Sequence, residues 1–213
     1  MSNDSAASEI PRQNMDVDIV CVGFGPAMGG FLTTLTRGLN NEDGTPAVQS
    51  KTMPGMPPQI ICYERADDIG FGVSGVVTKG RSIKASFPDF DPAQVPMATD
   101  AGKELVYYLL DPVKASRRSW LLRWKDFWIK TMGWMLPYKD HALRLPFIPG
   151  FLKKHGGYVL SIGQFNQWVG SQLMGSGLAQ IWPGTPVSEP LMHGDAVTGV
   201  RLADQGVDKQ GEP

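Results

Sequence analysis

The stretch of sequence that decides the fold is Asp16 to Gly30, DVDIVCVGFGPAMGG. Its first part, Asp16 to Val22, is rich in β-branched residues and has no helical period, which is typical of a short strand. Two glycines and a proline follow, and proline suits the first turn of a helix. We therefore predict a strand, a tight turn and a helix over Pro26–Arg37, with Gly38 as the stop signal.

The glycines of this turn have the spacing of a dinucleotide-binding site. Gly23 would permit the sharp turn, and Gly25 would let the backbone approach a pyrophosphate bound at the helix N-terminus. The third glycine of the pattern should stand at position 28, where this chain has Met28. We expect this departure to weaken the close helix packing, unless Gly29 and Gly30 supply it by a small shift.

The second predicted strand ends in the acid that such a site uses. A loop rich in Gly, Pro and polar residues spans 40–58, and the apolar run Gln59 to Tyr63 leads into Glu64. An acid at this place accepts ribose hydroxyls and argues against a 2′-phosphate. Glu64 stands 39 residues after Gly25, where about 20 is usual, and the loop accounts for the excess. The alternative is an incidental surface acid in an ordinary strand-turn-helix unit.

Composition and charge exclude several classes of protein. The chain has 213 residues, 42% of them hydrophobic, with 20 Lys+Arg against 21 Asp+Glu and a net charge of -1. This is a globular composition with no overall attraction to nucleic acid. Its two cysteines, Cys21 and Cys62, cannot form a disulfide framework, and its three histidines show no metal-ligand spacing.

The chain also lacks the simplest membrane and export signals. Residues 1–15 are polar, have no apolar signal-peptide core and are predicted to be a disordered tail. No apolar run reaches the roughly 18 residues that a transmembrane helix needs.

The sequence after Glu64 carries a family resemblance. Glu64 to Val76, ERADDIGFGVSGV, resembles the E-K-A-x-x-I-G-x-x-x-S-G stretch of electron transfer flavoprotein-ubiquinone oxidoreductase, a family related to geranylgeranyl reductase-type flavoproteins. Further blocks follow in the order of that family: His155 to Gln164, Gln167 to Gly170, Pro183-Gly184, Val197 to Val200 and Asp204 to Gly211. The resemblance covers about 17–90 and 145–213, and the region 98–144 departs from it.

The resemblance implies a cofactor and a set of site residues. It implies an FAD-binding fold in which electrons pass from a soluble flavoprotein to quinone at a membrane surface. Carried over by position, the resemblance implies that the FAD pyrophosphate is held by Gly23, Gly25, Pro26, Ala27 and Met28. It implies that Glu64, followed by Arg65, holds the adenosine ribose, and that Ser74 and Gly75 lie near the flavin. It also implies a 4Fe-4S cluster on four C-terminal cysteines, which this chain lacks. We predict no catalytic acid, base or nucleophile and no metal ligand.

The second half of the sequence extends the same architecture. Ser161 to Gln164 fits a capping box for a helix reaching Met174, and Ala179 to Trp182 suits a third parallel strand. Pro186–Met192 and Val197–Ala203 are predicted to be an antiparallel pair. The fold class is therefore α/β, a Rossmann-like FAD-binding βαβ with a parallel sheet and an incomplete antiparallel β-meander.

The predicted domain is only part of an FAD-binding domain. It covers residues 16–213, and 98–144 is an insertion within it. Because the sheet is cut short, we expect one edge strand to need cover from another polypeptide, such as a second chain that completes the fold.

The insertion carries an aromatic and basic segment, 117–138, predicted to be an amphipathic helix. Arg123, Asp126 and Lys130 share a polar face. The apolar face comprises Trp120, Trp124, Phe127, Trp128, Met132 and Met135. Tryptophan with basic residues is typical of a helix lying in a membrane interface. The alternative is a helix packed on the protein core or on a partner.

These observations support two functional hypotheses. The first is the N-terminal FAD-binding part of a membrane-peripheral oxidoreductase on the cytoplasmic side, with electron transfer flavoprotein and quinone as partners. The second is a non-catalytic truncated or assembly chain that docks on a membrane or partner through 117–138. A nicotinamide-dependent enzyme is disfavoured, because Ser74-Gly75 and Gly157-Tyr158 follow the flavoprotein family.

Overall fold

A computed structural model describes residues 12–71, 75–110 and 117–206 of the chain. The described residues form two compact units. Unit 1 comprises 12–71 and 161–206, and unit 2 comprises 75–110 and 117–160.

The described residues contain short strands and four α-helices. In chain order the strands are β1 (Ile19–Val22), β2 (Ile60–Tyr63), β3 (Gly75–Thr78), β4 (Thr99–Asp100), β5 (Tyr107–Leu109), β6 (Tyr138–Lys139), β7 (Ala142–Arg144), β8 (Tyr158–Ser161), β9 (Ala179–Trp182), β10 (Val187–His193) and β11 (Ala196–Leu202). The helices are α1 (Pro26–Arg37), α2 (Arg81–Ser86), α3 (Trp120–Thr131) and α4 (Ile162–Gly175).

Unit 1 is built on a parallel sheet of order β1-β2-β9. All four residues of the central strand β2 are buried, because strands flank it on both sides. α1 packs against α4, and α4 contacts β9. The core comprises Cys21, Phe24, Leu32, Ile60, Cys62, Phe165, Val169, Leu173 and Ile181. The predicted α/β class with a parallel sheet is confirmed.

Glycine sets the distance between the two helices of unit 1. A methyl group placed on Gly29 would lie 3.2 Å from Val169 Cγ1 of α4. A methyl group on Gly170 would lie 2.9 Å from Ile69 Cδ1. Close helix packing is therefore provided by Gly29, one residue after Met28, and the surface it approaches belongs to α4.

The last two strands of unit 1 form the predicted antiparallel hairpin. β10 pairs with β11 through the turn Gly194-Asp195. Most of their side chains are exposed. The β-meander prediction is thus met by one two-stranded sheet within the described residues.

Unit 2 contains two small sheets, of order β3-β8-β4 and β5-β7-β6. Its packing centres on Tyr158, whose ring meets Phe90 edge to face at 5.1 Å between centroids. Gly80 has φ +67°, and a methyl group on it would lie 2.6 Å from the Tyr158 ring. The aromatic ring thus takes the place that a side chain at position 80 would need.

The aromatic helix of unit 2 is shorter than predicted. α3 covers Trp120–Thr131, whereas the sequence pattern suggested 117–138. The chain turns at Gly133, where a methyl group would lie 2.8 Å from Tyr138 Cδ1. Tyr138 itself begins β6, so the end of the predicted helix belongs to a hairpin. None of the helices in the described ranges is long and apolar enough to cross a bilayer.

Candidate functional site

The glycine turn lies between the end of β1 and the start of α1. Gly23 has φ +82°, a left-handed conformation that side chains rarely adopt. Its N–H donates to the carbonyl of Tyr63, at 2.7 Å, and so fastens the turn to the end of β2. The sharp turn predicted at Gly23 is present, and the adjacent strand holds it in place.

The first turn of α1 has no acidic side chain at the positive end of the helix dipole. Gly25 is the N-cap residue, and no side chain of the described residues caps the helix. The N–H groups of Ala27 and Met28 lie in this first turn, where no helix carbonyl can accept them. With Pro26 as the first helical residue, this end offers free donors and the positive end of the helix dipole to an anion.

Glu64 bridges the two chain segments of the site. Its Oε2 accepts a hydrogen bond from the N–H of Phe24 at 2.6 Å, and its Oε1 accepts one from the N–H of Ala66 at 2.8 Å. A carboxylate has about four acceptor positions, so two N–H donors leave capacity for hydroxyl groups of a ligand. Glu64 therefore orients the glycine turn and can still receive a ribose.

The predicted residues divide between the two units. One end of the parallel sheet gathers Gly23, Gly25, Pro26, Ala27, Met28, Glu64 and Arg65. Arg65 is exposed directly after Glu64. Gly75 is the first residue of β3 in unit 2, and Ser74 lies outside the described residues. The flavin-side assignments of Ser74 and Gly75 stay predictions.

The sequence prediction missed Asp18, which anchors the inserted 40–58 loop. Its carboxylate accepts hydrogen bonds from Ser50 Oγ at 2.6 Å, from Lys51 N at 2.6 Å and from Gln59 N at 2.9 Å. These bonds hold the pKa of Asp18 far below its usual range, and the bond from Ser50 contributes most. Asp18 precedes β1, so the loop is fastened at the opposite end of the strand from the glycine turn.

The two cysteines are core residues. Cys21 and Cys62 are neighbours in the β1-β2 register, and both are buried. Burial, with smaller contributions from Cys21 and Glu64, raises the pKa of Cys62 to about 12. A raised pKa disfavours the thiolate form in which cysteine ligates a metal. Over the described parts of the chain, no group of three or more His, Cys, Asp or Glu side chains is arranged to hold one.

Comparison with known proteins gives a consistent result. No family model matches the chain. It is 26% identical over 206 residues to the probable electron transfer flavoprotein-ubiquinone oxidoreductase of Acinetobacter baylyi, an alignment covering 96% of this chain and 30% of that protein. It is 27% identical over 201 residues to the mitochondrial electron transfer flavoprotein-ubiquinone oxidoreductase of Sus scrofa, covering 93% and 26%. The chain resembles electron transfer flavoprotein-ubiquinone oxidoreductases.

This confirms the resemblance found in the motifs and extends it. Alignments that cover 96% of the chain run through 98–144, the region that the motif comparison set apart. The chain spans 26% to 30% of the length of these electron transfer flavoprotein-ubiquinone oxidoreductases.

Solved structures give weaker likenesses. A geranylgeranyl bacteriochlorophyll reductase-like protein from Thermoplasma acidophilum has a TM-score of 0.47 and 13% identity, covering 87% of this chain and 34% of that one. PqsL, a probable FAD-dependent monooxygenase from Pseudomonas aeruginosa, has a TM-score of 0.44 and 13% identity, covering 92% and 39%. The fold class rests on the order β1-β2-β9 of the parallel sheet.

Proposed function

We propose that unit 1 binds the adenosine and pyrophosphate end of FAD, as part of an oxidoreductase of the electron transfer flavoprotein-ubiquinone oxidoreductase kind. Gly25 is the observation that carries this proposal. Its φ of -95° is open to any residue, and apart from its chain neighbours no atom of the described residues lies within 4 Å of a methyl group placed on it. Neither backbone conformation nor packing demands glycine here, whereas close approach of a ligand to the helix N-terminus does.

The remaining contacts fit the same ligand. The uncapped N-terminus of α1 offers N–H donors to a pyrophosphate, and Glu64, fixed by Phe24 and Ala66, offers acceptors to ribose hydroxyls. FAD supplies the redox chemistry when bound, while the protein contributes binding and orientation. No acid, base or nucleophile is assigned a catalytic role.

We further propose that the electron path runs from electron transfer flavoprotein to quinone at a membrane surface. The names of the relatives support the two partners, and the resemblance stated from the motifs supports a membrane-peripheral enzyme. The cytoplasmic side of the membrane stays a prediction.

The whole reaction needs residues beyond those of this sequence. Two buried strand cysteines cannot ligate a 4Fe-4S cluster, so its ligands would come from a further C-terminal part or from a second chain. Within the described residues β1 and β9 are edge strands of a three-stranded sheet. Exposed strand edges favour pairing with another polypeptide, which supports completion of the fold by such a part.

The test is flavin binding by the chain and by two glycine variants. We expect the chain purified with added FAD to retain flavin absorbance, and Gly25→Val to lose it while it still unfolds cooperatively on heating. Gly30→Ala is the control, because Gly30 is also an α1 glycine with open space around it, five residues after the cap. Absence of bound flavin in the unmodified chain, or equal binding by Gly25→Val, would overturn the proposal.

The second candidate function is a non-catalytic chain that docks through α3. It is favoured by the exposed aromatic side chains of that helix. This candidate predicts membrane or partner binding by a chain that never takes up FAD, so the flavin titration separates the two functions.

A further inference from the structure

α3 is attached to its unit through its polar side. Asp126, at 9% exposed, is the buried residue of the helix. Its Oδ1 accepts a hydrogen bond from the Tyr108 hydroxyl at 2.8 Å, and its Oδ2 accepts one from Arg118 Nη1 at 2.7 Å. Arg118 also donates to the carbonyl of Leu109 at 2.7 Å. One carboxylate thus joins α3 to β5 and to the segment before the helix.

This attachment turns the aromatic face outward. Trp124 and Trp128 each lie two residues from Asp126, about 200° around the helix axis from it. They are 58% and 45% exposed, and their rings meet edge to face at 5.9 Å between centroids. Trp120 and Phe127 flank this pair and are exposed as well. A helix facing only water normally shows the reverse arrangement, with polar residues outward.

The surroundings of this face are positively charged. Residues 117–130 contain five basic residues and one acidic residue, a net charge of +4 in a chain whose total is -1. Arg123, Lys125 and Lys130 are exposed on α3 itself. Long basic side chains beside tryptophan can reach lipid phosphates while the indole rings sit at headgroup depth.

We infer that α3 lies in the interface of a bilayer containing anionic lipids, with Trp124 and Trp128 inserted and Lys125 and Lys130 at the headgroups. The inference deepens the membrane-peripheral part of the proposed function and rests on it. Positive charge and tryptophan on one helix suit this surface. Lysine is depleted in protein–protein interfaces, so the two lysines favour the bilayer over a protein partner, whereas tryptophan suits either surface.

The first test measures co-sedimentation of the full chain with lipid vesicles. Binding is expected with phosphatidylcholine vesicles that contain phosphatidylglycerol, accompanied by a blue shift of tryptophan emission. Trp124→Glu with Trp128→Glu should abolish both signals. The matched control adds the same two carboxylates to exposed methionines of unit 1, Met174→Glu with Met192→Glu, and should leave vesicle binding unchanged.

The second test measures the charge requirement. Lys125→Gln with Lys130→Gln should weaken binding to the phosphatidylglycerol vesicles by about fivefold for each charge removed. Binding to vesicles of phosphatidylcholine alone should be weak and unaffected. Equal binding to both kinds of vesicle, unchanged by the lysine variants, would overturn the anionic-lipid assignment.

The remaining outcomes separate this inference from its rivals. Binding by the tryptophan variant equal to that of the unmodified chain would overturn the role of α3. A chain that binds no vesicles but forms a concentration-dependent dimer would overturn the inference. If Trp124→Glu with Trp128→Glu abolished that dimer, the aromatic face would be assigned to a second copy of the chain. FAD titration of the unmodified chain is an independent readout: a chain that binds vesicles but no flavin would overturn only the proposed cofactor role, and a chain that binds flavin but no vesicles would overturn only this inference.

Discussion

α1 and α3 are helices of equal length, 12 residues each, and they use their apolar residues in opposite ways. α1 buries Leu32 completely and satisfies the hydroxyl of Thr33 on a carbonyl of its own preceding turn. α3 buries Asp126 and leaves its tryptophans exposed. An amphipathic pattern therefore tells which residues share a face, while the contacts offered by the rest of the unit decide which face packs.

The largest expected difference between the two helices is the loss of stability when an apolar side chain is shortened to alanine. Leu32→Ala removes a fully buried side chain of α1 and should lower the free energy of unfolding by about 2 to 5 kcal/mol. Leu121→Ala removes an exposed side chain of α3 and should change it by less than about 0.5 kcal/mol. Urea unfolding of both variants measures this, and equal losses would contradict the assigned faces.

The next effect concerns the polar anchor of α3. Asp126→Ala leaves Arg118 and Tyr108 without their shared acceptor and should destabilise unit 2 by about 3 kcal/mol. Hydrogen exchange of α3 amides reports this loss locally. Arg123→Ala, an exposed change on the same helix, is the control and should leave exchange unchanged.

A smaller effect is expected from two neighbouring glycines of α1. Gly29→Ala forces a methyl group to 3.2 Å from Val169 Cγ1, and this overpacking should cost about 1 to 3 kcal/mol against a helix-propensity gain of at most about 1 kcal/mol. Gly30→Ala meets open space among the described residues and should stabilise the helix by up to about 1 kcal/mol. Thermal denaturation gives the sign of each change. A stabilising Gly29→Ala would show that α1 and α4 pack less closely than described.

The smallest effect is a pH dependence from the α3 anchor. Burial, followed by the hydrogen bond to Asp126 and its charge, raises the pKa of Tyr108. Because the folded protein holds this proton more tightly than the unfolded chain does, the contribution is complete below about pH 10 and is lost as pH rises above it. Tyr108→Phe should cost about 1 kcal/mol at neutral pH and flatten the alkaline decline. An unchanged decline would assign it to other groups.

The elements of unit 1 could be predicted because their signals are local. The β-branched run before Gly23, the proline and glycine that bound α1, and the turn Gly194-Asp195 each act within a few residues. β1 begins at Ile19, later than predicted. The residue before it, Asp18, accepts a hydrogen bond from Ser50 of the inserted loop.

The contacts that fix the site could not be predicted in the same way. The bond from Phe24 N to Glu64 joins residues 40 positions apart, and that from Ser50 to Asp18 joins residues 32 apart. Such pairs form only when the strands are arranged in the right order, and a pattern of neighbouring residues does not predict that order. The orientation of α3 likewise depends on Tyr108 and Arg118, which lie outside the helix.

The central claim is that unit 1 binds the adenosine and pyrophosphate end of FAD, and a displacement titration tests it most directly. Equilibrium dialysis with radiolabelled FAD would follow FAD bound to the chain while ADP or FMN is added, since FMN is itself fluorescent. ADP presents the groups expected at Gly25 and Glu64, so ADP should displace FAD in a saturable manner and FMN should not. Displacement by FMN with no effect of ADP would contradict the claim.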